Sequence, residues 1–203
     1  MYRHLLGLET ITDLKINYMF QWLTGLFVIL SATSTYAQSK AGELRDVQDI
    51  IKKEGELFIA INRVSPEDNK VCLEENSIIN QVQFTGDSAF VNYINYTELF
   101  CEVYVMRTQY TFHFALKDID PAAIRLVEKK YNIGNGKLTE GNPGWFEVQL
   151  FTKNNKLAII KREQESIQQE ILTTVSLIVK DEDTARQVQR LLKTVLQTLQ
   201  SQQ

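Results

Sequence analysis

Between Ala41 and Lys53, Leu44, Val47, Ile50 and Ile51 recur at three- and four-residue steps, with Glu, Arg, Asp and Lys between them. That spacing predicts a short amphipathic helix, which Gly55 ends. Leu57 to Val64 is an apolar run that fits a strand or a helix equally, and Ser65-Pro66-Glu67-Asp68-Asn69 is a turn. From Ile78 the texture changes to alternation. Ile78 to Phe84 and Ser88 to Tyr96 read as strands around the turn Thr85-Gly86-Asp87. A long β-rich segment follows, in which Tyr104, Met106, Tyr110, Phe112, Phe114 and Leu116 share one parity and make one face apolar. Arg107-Thr108-Gln109 is expected as a bulge or tight turn inside it. Lys117-Asp118-Ile119-Asp120-Pro121 stops the strand, because proline cannot donate to a ladder.

Three further strands are expected at Ile124 to Tyr131, Trp145 to Thr152 and Leu157 to Arg162. The first two are joined by a loop rich in Gly and Asn. The second two are joined by Lys153-Asn154-Asn155-Lys156, which reads as a hairpin turn. Ile171 to Val179 alternates as one strand with two largely apolar faces. Asp181-Glu182-Asp183 then places acid at a helix N-terminus, where it caps and meets the positive end of the dipole. Ala185, Val188, Leu191, Leu192, Val195, Leu196 and Leu199 form the apolar stripe of that helix. The stripe suits docking on a sheet. Ala185, Val188, Leu192, Val195 and Leu199 also fit the a/d seam of a short coiled-coil dimer, so a weak homodimer through this helix is the alternative, although two heptads are too few to prefer it over docking.

The expected class is therefore α+β and β-rich, a curved antiparallel sandwich or barrel of about seven strands. A short N-terminal helix precedes it and a C-terminal amphipathic helix caps it. That order resembles the pleckstrin-homology-like fold. The stretches FHFALKDIDP (from Phe112), TKNNK (from Thr152) and VSLIVKDEDTARQVQRLLKTV (from Val175) look like exported bacterial proteins carrying such a domain. The resemblance spans roughly residues 78–199 and implies a curved sheet structure plugged at one end by the terminal helix. The basic hairpin by which phosphoinositide-binding members grip headgroups has no counterpart here, so the resemblance implies no ligand.

The N-terminus reads as an address. Phe20, Trp22, Leu23 and Leu26-Phe27-Val28-Ile29-Leu30 form a stretch of signal-peptide length, followed by small residues. Thr35-Tyr36-Ala37 places small side chains at −3 and −1 of a cut before Gln38. An uncleaved anchor is the alternative, although a spanning helix needs about 20 apolar residues. Met1 to Tyr18 mixes Arg3 and Lys15 with Glu9 and Asp13, so Met19 is a second candidate start. The expected organisation is a signal peptide over 1–37 (with 1–18 an over-extended start), a helical lead-in and linker over 38–77, and a β domain with C-terminal helix over 78–203. The product would be periplasmic or extracellular, with no transmembrane span in the mature chain.

Export changes the reading of the two cysteines. In an oxidising compartment Cys72 and Cys101 can bridge; otherwise they are two buried thiols. Their spacing fits neither CxxC redox chemistry nor a zinc site.

Composition narrows the chemistry. The 203 residues are 44% hydrophobic and 23% charged with net charge −3, which suits a globular fold and argues against nucleic acid as a partner. Only two histidines are present, and one of them, His113, is mid-strand beside Phe112 and Phe114, where a surface or cross-strand role is expected. There is no Gly-x-Ser-x-Gly elbow. Gly134-Asn135-Gly136 leads into a strand, so a hairpin loop is expected rather than a phosphate cradle. Glu98, Glu102, Asp118, Asp120 and Glu147 could serve a carboxylate-based hydrolase if two of them converged. Lys180, Arg186, Arg190 and Lys193 read as a solvated helix face, and Asn95-Tyr96-Thr97 as a chance sequon. No catalytic, cofactor-binding or metal-ligating residue is singled out, and no cofactor is implied. The leading expectation is an exported, non-enzymatic binding protein of the cell envelope with a protein, peptide or small ligand as partner. A carboxylate-based envelope hydrolase and a helix-mediated structural dimer are the alternatives.

Overall fold

The computed structural model describes residues 41–64, 69–101, 104–164, 166 and 168–201. The expected signal peptide over 1–37, the expected cut near Ala37 and the expected start lie outside the described residues. The chain divides at Gly42/Glu43, and the unit Glu43–Gln203 carries both sheets. Its described residues are mostly β, with ten antiparallel strands between a helix at each end.

Helix α1 (41–54) buries Leu44, Val47 and Ile51 and leaves Arg45, Asp46, Asp49, Lys52 and Lys53 exposed. At Gly55 the chain turns so closely onto its neighbours that a Cβ would overlap the carbonyl oxygens of Ile51 and Asn80. The Gly55 N–H donates to Ile51 (2.8 Å) and its carbonyl accepts from Asn80 N–H (2.8 Å), which passes the chain directly from helix to sheet.

The strands are β1 (Glu56–Val64), β2 (Val71–Thr85), β3 (Ser88–Leu99), β4 (Tyr104–Ala115), β5 (Arg125–Lys130), β6 (Lys137–Gly141), β7 (Gly144–Phe151), β8 (Ile159–Glu163), β9 (Gln169–Leu172) and β10 (Thr174–Val179). Seven form a large sheet in the order β6-β1-β2-β3-β4-β8-β9, and three form a small sheet in the order β10-β7-β5. Both sheets are open. Helix α2 (Glu182–Gln200) docks its Ala185, Val188, Leu192, Val195 and Leu196 into the core. Asp181 caps it by accepting from Thr184 N–H (2.8 Å) and Oγ1–H (2.7 Å), which holds the Asp181 carboxyl below its usual range. Gln189 and Gln200 tie its outer flank to the carbonyls of Ile124 (3.0 Å) and Ile119 (2.9 Å).

The main core gathers α1, one parity of the small sheet (Val148, Leu150, Val175, Leu177, Val179), the α2 stripe and one end of the large sheet (Val82, Ala89, Val91, Phe114, Ile159). The other parity of the small sheet meets the large sheet in a smaller cluster, where Ile178 joins Leu57 and Ile78, with Trp145 and Tyr93 beside them. The residues that a coiled-coil seam would use are thus packed inside the chain.

Several expectations need correction. Among the described residues there are ten strands rather than about seven, the three additional ones coming from segments whose patterns do not mark them. The segment expected as lead-in and linker supplies β1 and the first half of β2, paired from Glu56↔Ile79 to Val64↔Val71. The Gly/Asn loop contains β6, whose hydrogen bonding to β1 outweighs its poor strand propensity. Gly141 closes β6 at φ +86°, a conformation natural to glycine, and a Cβ there would overlap the Phe58 carbonyl. Arg107-Thr108-Gln109 is neither bulge nor turn, for β4 pairs with β3 without a break from Tyr104↔Leu99 to Ala115↔Ser88. The 171–179 stretch is two strands in different sheets. Thr173 is the crossing point, with its carbonyl accepting from Thr152 N–H (2.9 Å). Lys153–Asn155 is not a hairpin turn but a 3-10 turn carrying the chain from the small sheet to the large one, with Asn154 and Asn155 at φ 54° and 51°.

Candidate interaction surface

One inner face of the large sheet is read by parity from Cys72, Glu74, Asn76, Ile78, Asn80 and Val82 on β2 and from Tyr104, Met106, Thr108, Tyr110, Phe112 and Phe114 on β4. The core covers only part of it. Phe114 is buried and Phe112 packs against the core, whereas Tyr104 and Met106 are exposed. The paired ends of β1–β2 and β3–β4 therefore reach beyond the packed body as a tip.

Among the described residues, eight large hydrophobics are exposed, and six of them lie at this tip: Val64, Val71, Phe100, Tyr104, Val105 and Met106. Val64 pairs with Val71, and Leu99 with Tyr104, so the apolar groups sit on two adjoining hairpin ends. Cys72 and Cys101 are disulfide-bonded across them, with Cα atoms 5.4 Å apart. The Phe100 N–H donates to the Leu73 carbonyl at 3.0 Å, which seats the turn after β3 against β2.

A buried polar network underlies the tip. Glu74 is 7% exposed and its carboxylate accepts from four donors. Arg63 Nε–H is ion-paired with it, and Arg63 Nη2 donates at 3.2 Å, Asn76 Nδ2 at 2.8 Å and the Tyr131 hydroxyl at 3.0 Å. Asn76 in turn accepts from the Thr97 hydroxyl (2.8 Å), and Arg63 reaches the Ile133 carbonyl (3.2 Å). Burial alone would raise the Glu74 pKa, but the hydrogen bonds from Arg63, Asn76 and Tyr131 outweigh it and hold the carboxyl below its usual value. The same contact with Glu74 raises Arg63, while burial and then the Glu74 hydrogen bond raise Tyr131. A carboxylate so fully engaged stays charged at neutral pH and orders four segments of chain: β1, β2, β3 and residues 131–133.

The acids considered for hydrolysis stand on separate elements. Glu98 on β3 accepts from the Tyr96 hydroxyl (2.9 Å). Asp118 pairs with Lys156 (3.6 Å), and Asp120 caps the short turn at Pro121 by accepting from Ala122 N–H (2.9 Å). Glu147 on β7 accepts from Ser176 Oγ–H (3.1 Å) and Gln149 (3.0 Å). Glu102 lies outside the described residues. His113 stacks on Phe90 across strands, centroids 4.4 Å apart. Arg186, in the basic stripe, is engaged with Glu182 one turn away. Among the described residues, no three His, Cys, Asp or Glu side chains are grouped to hold a metal ion, and no helix is long and apolar enough to cross a membrane.

Comparison with protein families, curated proteins and solved structures finds no match to this chain. The character of its surface thus rests on its own residues.

The tip and its network have little local signature, because VCLEENS does not look like a strand. The signal was nevertheless there. Cys72, Glu74 and Asn76 continue the parity of Ile78, Asn80 and Val82, marking polar groups on an inner face.

Proposed function

We propose that this chain is an exported, non-enzymatic binding protein of the cell envelope whose contact surface is the disulfide-held tip. The observation that carries this reading is the gathering of Val64, Val71, Phe100, Tyr104, Val105 and Met106 on two adjoining hairpin ends. Isolated exposed apolar residues are ordinary, but here they concentrate at one end of the sheet, Val64, Val71 and Val105 on its outer face and Tyr104 and Met106 on its inner face, and such a concentration supports an interaction site. Two supports for the tip fit that role. The disulfide and the Glu74 network hold the apolar groups in place before any partner arrives, which lowers the ordering cost of binding. Export is supported by the apolar run ending at Thr35-Tyr36-Ala37 and by a cysteine pair suited to an oxidising compartment.

The test is site-specific photo-crosslinking in the producing cell, with a benzophenone amino acid placed at Val105 or at Leu157. Both positions are exposed and apolar, but Leu157 is remote from the tip. Discrete adducts from Val105 alone are expected. Equal labelling from both positions, or none from Val105, overturns the assignment. N-terminal sequencing of the mature protein tests export, with Gln38 expected as the first residue.

A further inference from the structure

The β4 strand is twelve residues long, but its neighbour β8 pairs with it only from Tyr110 to His113. The Gln109 carbonyl accepts from Gln164 N–H at 3.0 Å, and there the ladder stops. In an antiparallel strand the backbone groups of alternate residues point to the same side. Gln109 faces β8, so Arg107 and Val105 turn their N–H and C=O groups to that side as well. Among the described residues, no strand pairs with Tyr104 to Thr108 there. Where β8 leaves β4, a polar cavity of about 280 Å³ opens, lined by Arg107, Thr108, Gln109, Glu163 and Gln164.

We propose that this stretch of β4 is a β-augmentation site that takes an extended peptide segment of a partner protein as an added strand. The inference rests on the reading of the tip as a contact surface and names the chemistry of its occupant. Three observations converge on an extended peptide. The open groups are backbone donors and acceptors in strand register, and their complement is another strand. Open edges in folded proteins are blunted by charge, proline or bulges; this edge has no proline or bulge and carries its one charge, Arg107, at the inner end, while Tyr104-Val105-Met106 is apolar on both faces. The opening is about five residues, or about 17 Å, and β8 closes its inner end. A second full-length β4 laid against it would run its own hairpin end into β8, so a short segment fits and a whole sheet edge does not. Side chains alternating along the peptide would lie beside Tyr104 and Met106 on one face and Val105 on the other. Its end would enter the cavity between Arg107 and Glu163.

The probe is acetyl-Thr-Val-Thr-Val-Thr-amide, titrated into the isotope-labelled oxidised protein, with a matched peptide N-methylated at alternate residues. Slowed amide exchange at Val105 and Arg107, and affinity at least about tenfold weaker for the N-methylated peptide, are expected. Val105→Pro deletes an outward N–H while sparing the β3 ladder, and it should weaken the parent peptide by about tenfold. Val105→Thr should not. A near-ultraviolet circular dichroism spectrum matching the parent shows that Val105→Pro is folded. Equal binding of both peptides at the tip overturns the added strand but leaves the apolar contact surface standing. Saturating parent peptide that leaves Val105 and Arg107 unchanged overturns the augmentation site. Concentration-dependent dimerisation abolished by Val105→Pro overturns the peptide as occupant in favour of a second copy.

Discussion

The Tyr131 hydroxyl donates to the Glu74 carboxylate at 3.0 Å, joining the end of β5 to the second strand of the large sheet. Arg63 and Asn76 complete the same carboxylate, so three elements depend on one charge. That charge fixes a pH dependence. An unfolded glutamate titrates at about 4.3, and Glu74 in the folded chain titrates lower. Between the two values the unfolded state binds more protons, so stability rises with pH. The contribution is fully present above the unfolded value and is lost as pH falls through the folded one. Urea midpoints from pH 7 down to pH 3 should therefore decline, and Glu74→Gln should flatten that part of the decline. An unchanged slope would separate Glu74 from the acid response. At pH 7, Arg63→Met should cost about 2 kcal/mol, less than the loss of a fully buried pair because Arg63 is partly exposed.

The disulfide joins residues 29 positions apart and bonds the two hairpin ends that form the tip. Chain-entropy arithmetic for a loop of that length gives about 3–4 kcal/mol of stabilisation. The double variant Cys72→Ser/Cys101→Ser should lower the unfolding free energy by about that amount, measured by urea denaturation at neutral pH. Reductant should lower the parent's midpoint and leave the variant's unmoved. Thiol labelling of the parent protein without reductant should detect no free cysteine.

Leu192 is fully buried on the inward face of α2, the helix that packs on the small sheet and on the turns at Leu116 and Pro121. Leu192→Ala should cost about 3 kcal/mol through lost burial and a residual cavity. Leu192→Glu should unfold the chain, because it places an unpaired charge in that core. Asp181→Ala removes a cap and should cost about 1 kcal/mol. Size-exclusion mass measured alongside separates core from seam. A folded Leu192→Glu monomer derived from a parent dimer would assign Leu192 to an intermolecular contact instead.

Elements whose patterns reflect their own burial were legible from the residues. The α1 and α2 stripes, the Phe112–Phe114 end of β4 and the strand stop at Pro121 depend on periodicity and on proline's missing donor, which are local properties. Elements held by partners were not. Lys137 to Gly141 is a strand only because β1 offers its edge, and Val71 to Ser77 only because β1 and β3 flank it. The uninterrupted run 171–179 concealed a change of sheet, since both of its halves are β and only their partners differ. The Glu74 network escaped because it joins Arg63, Glu74, Asn76, Thr97 and Tyr131 across four segments, and no short window contains it.

A single strand tests whether the tip serves contact rather than folding. Met106 and Phe114 lie on the same face of β4, eight residues apart in an unbroken ladder, yet Phe114 is 2% exposed and Met106 40%. If the sheet's inner face were uniformly core, truncating either side chain would be costly. Because only one end is covered, Phe114→Ala should lower stability by about 3–5 kcal/mol. Met106→Ala, and likewise Phe100→Ser, should change it by no more than about 0.5 kcal/mol. The order should reverse in a partner-capture assay such as crosslinking from Val105, where Met106→Ala and Phe100→Ser reduce the adduct while unfolding curves stay superimposable. A large stability loss at Met106 would instead make the tip part of the folding core, leaving its exposed apolar groups without a role in recognition.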